Sequence, residues 1–131
     1  METMYSAKVD SPITTLTSKI EQSDTTIPVK NADYLPDAPN IATIFDNDDT
    51  ETIKYEGKNE NELTDVTRGF QGDEKTWEKG TEIARFYTDY DHNSFKNNIE
   101  KIFNKKYKNI WVQSDEPSDD ANDGDLWIDT N

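Results

Sequence analysis

No cysteine occurs among the 131 residues, which excludes a disulfide framework, a thiolate metal site and a cysteine nucleophile. There is one histidine, His92; no His-Glu-x-x-His zinc motif and no Gly-x-Ser-x-Gly elbow occurs. Apolar residues are scarce: they make up 31% of the chain, at a mean hydropathy of -1.04. A core drawn from so little is small, and further copies or neighbours are expected to cover part of the remaining surface. No apolar run is long enough to span a bilayer, and no basic stretch leads into an apolar one at the N-terminus. The expectation is a protein made in the cytoplasm and soluble until assembled. Positive charge is the other shortage. With 14 Lys and Arg against 28 Asp and Glu, the formal net charge is -14, which repels phosphates and argues against nucleic acid and anionic membrane as partners.

The acids do not assemble into a recognisable catalytic or metal site. A chain this short offers no deep cleft to raise the pKa of one carboxylate in a glycosidase-like pair. Laid on an EF-hand loop, Asp119 to Thr130 puts Ala121 at position three and Thr130 at position twelve, so two ligands are missing. Asp46, Asp48 and Asp49 are expected to form a solvated turn, and His92 and Ser94 fall at a predicted helix start, where capping or exposure accounts for them. No catalytic residue, cofactor or metal is assigned.

What is present is an alternating pattern in the first two thirds of the chain. An extended arm (residues 1–12) precedes an antiparallel β-domain (13–88), with strands expected at Ile13–Ile20, Thr25–Val29, Ile41–Phe45, Thr50–Glu56, Leu63–Arg68 and Thr81–Tyr87. Pro28 confines its strand to an edge or bulge. Ile41–Phe45, the most apolar, should be central. Asn31–Asn40, with Pro36 and Pro39, cannot be a regular element, and Tyr34 and Leu35 should plug the core beneath it. Hairpin-like connections favour antiparallel pairing. Leu63 to Gly80 organises the rest: Gly69, Gly72 and Gly80 mark sharp turns, Phe70 and Trp77 fold back to plug the core, and Arg68 ties loop carbonyls or a carboxylate to that corner.

The run Leu63-Thr-x-Val66-Thr-Arg68-Gly69-x-x-Gly72, a large ring at Trp77, then Gly80-Thr81-x-Ile83, resembles a small β-rich module of bacteriophage tail, baseplate and tail-fibre structural proteins. The likeness reaches upstream through Thr25-Thr26-Ile27-Pro28-Val29 and Glu51-Thr52-Ile53-Lys54-Tyr55, covering about residues 13 to 87. It departs at Asp73, where the module more often has Thr, and at Trp77, where it often has His. A second segment, Trp111-Val112 through Glu116-Pro117 to Gly124-Asp125-Leu126-Trp127-Ile128-Asp129, resembles one in phage tail-fibre and host-adhesion proteins. These resemblances imply a virion protein of the tail or baseplate, with other tail or baseplate proteins as partners.

From Asp89 the apolar period changes from two residues to between three and four. Phe95, Ile99, Ile102 and Phe103 fall on one stripe of an amphipathic helix over residues 89–108, capped by Thr88, Asp89 or Asp91, with lysines at its far end. Such a stripe needs either the sheet or a symmetry mate, and a cyclic bundle, a trimer above all, is expected. Residues 109–131 are expected to form an acidic β-hairpin in which Trp111 on the strand Ile110–Val112 faces Trp127 across an Asp123-Gly124 turn. The fold expected is mainly β: a small antiparallel β-sandwich or partly open barrel, then one helix and the hairpin-like segment. The function expected is that of an oligomeric structural adaptor. The alternatives are a module binding host cell-surface glycan, with tryptophan and tyrosine rings as stacking faces, and a head or neck decoration protein.

Overall fold

Through the middle of the chain β-branched and aromatic residues alternate with charged ones, and there the backbone pairs as strands. The structure is a computed structural model that describes residues 1–114, with side chains through residue 105. Its elements are β1 (Thr14–Thr15), β2 (Ile27–Pro28), a 3-10 turn (Ala32–Tyr34), β3 (Asn40–Phe45), β4 (Thr50–Lys58), β5 (Glu62–Gln71), β6 (Glu82–Ala84) and α1 (Asp89–Ser114). The described residues divide into two units, Met4–His92 and a second made of Met1–Thr3 with the described residues from Asn93 onward.

In the first unit the strands form one antiparallel sheet in the order β1-β6-β3-β4-β5-β2. The sheet curls into a half-barrel whose outermost strands meet. Leu16 and Val29 form a bridge, with the Thr17 N–H donating to the Pro28 carbonyl at 3.1 Å and the Lys30 N–H to the Thr15 carbonyl at 2.9 Å. Ala42 and Ile44 of β3, Ile53 and Tyr55 of β4, and Leu63, Val66 and Trp77 share the enclosed core with Leu16, Ile20 and Ile27. β3 is central, and Pro28 sits at the end of the strand order, where its missing N–H costs no ladder bond. The β3–β4 turn is an Asx turn: the Asp46 carboxylate accepts from the N–H groups of Asp48 and Asp49 at 2.9 and 2.8 Å.

Four expectations are corrected. Ile13–Ile20 is not one strand: only Thr14–Thr15 pair with β6, after which Leu16 bridges to Val29 and Ile20 to Trp77. The segment crosses between partners, which breaks a continuous ladder. Within Asn31–Asn40 a 3-10 turn forms, capped by the Asn31 side chain accepting from the Asp33 N–H; Leu35 is buried but Tyr34 is exposed. Phe70 is not a core plug. It lies edge-on to Tyr90 at 4.9 Å, with the Lys54 ammonium 5.9 Å from its ring. Ile110–Val112 is not a strand, because α1 continues to Ser114. No Gly or Pro interrupts Asp89 to Ser114, so nothing opposes helix propagation where β-propensity suggested a switch. Trp111 therefore lies in the helix, while Trp127 and the rest of the expected hairpin lie outside the described residues.

Candidate functional site

The best-formed polar site of the first unit begins with a placement the hydrophobic pattern does not favour. Glu51 is in phase with Ile53 and Tyr55 on β4, so its side chain enters the enclosed side of the sheet, where it has no exposed surface. A lone carboxylate there would be costly. Arg68 of β5 meets it side-on, Nε to Oε2 at 2.8 Å and Nη2 to Oε1 at 2.9 Å. The Trp77 indole N–H donates to Oε1 at 2.8 Å, and the backbone N–H groups of Gly69 and Lys75 donate at 2.9 and 3.1 Å. Arg68 spends its remaining N–H groups on the carbonyls of Glu21 (2.6 Å), Asp24 (3.2 Å) and Lys75 (2.6 Å). Every donor of its fork is satisfied.

A backbone irregularity makes this possible. The β4–β5 register shifts between Thr52 and Lys54, and Gly69 stands at that bulge with φ 61°. Its left-handed conformation turns its own N–H onto the Glu51 carboxylate, and a Cβ there would press against the Glu74 backbone nitrogen at 3.2 Å. Gly72 and Gly80 also take positive φ, 79° and 89°. Gly80 donates its N–H to the Leu16 carbonyl at 2.9 Å, while Trp77 is held by paired backbone bonds to Ile20 and is buried. Burial pushes the Glu51 carboxyl up, but the bonds from Arg68, Trp77, Gly69 and Lys75 outweigh it and hold it below the usual glutamate range.

A second arginine organises the start of α1. Arg85 forks onto Asp91, with both bonds at 2.8 Å. It also donates to the Asn40 side chain at 2.8 Å and to the carbonyls of Ser6 (3.0 Å) and Tyr5 (3.3 Å). The arm from Tyr5 to Ser6 is thus fastened to the β-unit. Thr88 is the N-cap: its hydroxyl accepts from the Asp91 N–H at 3.2 Å, and the Asp91 carboxylate accepts from the Thr88 N–H at 2.9 Å, a reciprocal capping box. Burial raises the Asp91 carboxyl, and the Arg85 and Thr88 bonds more than reverse that.

In the second unit the helix carries its apolar stripe outward. Phe95, Ile99, Ile102 and Phe103 are 50%, 41%, 52% and 55% exposed, while Asn98, on a neighbouring face, is buried and clasps the Glu2 backbone from both sides. It accepts from the Glu2 N–H at 2.8 Å and donates to the Glu2 carbonyl at 2.9 Å. Among the described residues no group of three or more His, Cys, Asp and Glu could hold a metal ion, and no helix is long and apolar enough to cross a membrane.

Of the residues singled out from the sequence, Arg68, Gly69 and Trp77 converge on Glu51, with Gly72 and Gly80 at the turns around them. Trp77 is too buried to offer a stacking face. Sequence reasoning does not single out Glu51, nor Arg85 with Asn40, although Asp91 is among the N-cap candidates; for Glu51 the one available signal is an acid in phase with Ile53 and Tyr55. No protein-family model, curated protein or solved structure matches the chain.

Proposed function

We propose that this chain is a non-enzymatic structural subunit of a phage tail tip or baseplate, assembling through α1 as a homo-oligomer, a trimer by preference. The β-unit docks on neighbouring tail proteins, and the acidic C-terminal segment links to a fibre or receptor-binding protein. The observation carrying this reading is the solvent-facing row of Phe95, Ile99 and Ile102 on one helix. An apolar row of this kind on a soluble chain marks an interaction surface.

Charge favours a second copy as its occupant. Residues 89–108 hold five lysines and three acids, a local net charge of +2 in a chain whose total is -14. Two such acidic molecules meet with least repulsion along this helix. The buried side chains of Arg68 and Glu51 in the β-unit, in contrast, are fully engaged in holding the fold. The phage context rests on the Thr67-Arg68-Gly69-x-x-Gly72 resemblance.

Sedimentation equilibrium tests the assembly. The full chain is expected to run at three times its 15.1 kDa, and the Ile99→Asp/Ile102→Asp double variant as a folded monomer. A wild-type monomer at all concentrations, or an oligomer that ignores the double variant, would remove the helix from this role. Locating the chain in a map of an intact particle tests the tail assignment.

A further inference from the structure

The chain leading into β1 turns back on itself and is held to the first unit by its main chain. The Ser6 carbonyl accepts from the Asn40 side-chain amide and from Arg85 Nε, both at 3.0 Å, and the Tyr5 carbonyl accepts from Arg85 Nη2 at 3.3 Å. The Tyr5 ring lies 5.7 Å from that of Tyr90. Arg85 and Asn40 are 3% and 1% exposed, whereas Met4, Ser6 and Ala7 are exposed. The β-unit therefore grips two carbonyls and one ring, and any extended copy of residues 4–6 that reaches it meets the same donors.

The turn that folds this segment back suits its residues poorly. The Ser11 N–H donates to the Lys8 carbonyl at 3.0 Å, closing a four-residue turn over Val9 and Asp10. Asp10 takes φ 63° and Ser11 φ 43°, the left-handed region that glycine occupies freely and that strains other residues. Ser11 also precedes Pro12, which favours extended backbone at the residue before it. Val9, a β-branched residue of extended preference, is 84% exposed. Straightening residues 7–13 removes the left-handed pair and suits both Val9 and Ser11. An extended run from residue 6 to residue 14 reaches about 26–29 Å, long enough to bridge to an adjacent molecule. Residues 4–12 hold one lysine and one acid, so the segment enters an acidic neighbour without adding repulsion. We infer that the arm is exchanged between copies of this chain: residues 4–6 of one molecule dock on Arg85, Asn40 and Tyr90 of another, with residues 7–13 as the hinge. A strained hinge, and contacts that are the same within a molecule as between molecules, favour such exchange.

Arm docking and the α1 contact use different residues, so the two ideas fail separately. One full-length sample has Tyr5 replaced by photo-reactive p-benzoylphenylalanine, a second is the unmodified chain labelled with heavy nitrogen, and the two are mixed, incubated and irradiated. Mass spectrometry then reads which copy supplied each half of a cross-link. Light–heavy links between position 5 and the peptide containing Tyr90 are expected, rising with protein concentration and persisting when both samples carry Ile99→Asp/Ile102→Asp. Asp10→Gly/Ser11→Gly, which relieves the strained turn, should lower the light–heavy share at least about fivefold with the total cross-link yield unchanged. Light–light links alone at every concentration, no link to the Tyr90 peptide, or a light–heavy share that the glycine pair leaves unchanged would each overturn the exchange. Light–heavy links that vanish in the Ile99→Asp/Ile102→Asp background would overturn it too, as proximity along α1 in place of a docked arm.

Discussion

Glu51 and Arg68 show how one charged pair can define a corner that apolar residues alone would leave ambiguous. A buried ion pair is weak support for stability by itself, but here the same two side chains also bind loop backbone at Glu21, Asp24, Gly69 and Lys75. Glu51→Ala would leave the Arg68 guanidinium buried without its anion. It should cost about 3–5 kcal/mol, read as a shift in the urea midpoint, against a total stability of about 5–15 kcal/mol for a typical domain. Glu51 and Asp91 both bind protons more weakly in the folded chain than in the unfolded one. Their contribution is therefore complete above the unfolded values, about 4.3 for Glu and 3.9 for Asp. It is lost as pH falls through the lower folded values. Melting temperature should stay flat from neutral pH to about 5 and fall steeply below about 4, and Glu51→Gln should make the acid slope shallower.

At the scale of elements, the strands follow from alternation and the helix from its cap. Glu51, Ile53 and Tyr55 of β4 enter the core as their two-residue spacing dictates. Leu63 and Val66, three apart, both reach it because Asp65 between them takes φ 50° and interrupts the pleat. Thr88→Ala removes the hydroxyl half of the capping box and should cost about 1 kcal/mol, seen in chemical denaturation followed by circular dichroism. The element legible least well was the end of α1. Ile110-Trp111-Val112 carries β-branched and aromatic residues, but no helix-breaking residue precedes it, and propagating an existing helix by one more residue is easier than nucleating a new strand.

For the whole molecule, association competes with charge. Copies that each carry -14 repel at low ionic strength, and salt screens that repulsion over a Debye length of about 30 Å at 0.01 M but about 8 Å at 0.15 M. The self-association proposed for α1 should therefore tighten as salt rises across that range. Weakening with salt would mean instead that the contact is held by ion pairs. This is measured by sedimentation at several protein concentrations.

Composition and period were enough to specify a small antiparallel β-fold followed by a helix, since both depend on local alternation and on where the period changes near Asp89. They also singled out Arg68, the three turn glycines and Trp77, because sharp turns and a planar fork have few substitutes. The identity of the carboxylate that Arg68 meets and the fastening of Tyr5 and Ser6 by Arg85 were decided only when distant segments closed on one another. Burial and hydrogen bonding between residues 17 to 80 positions apart are properties of the folded backbone, and no spacing along the chain encodes them.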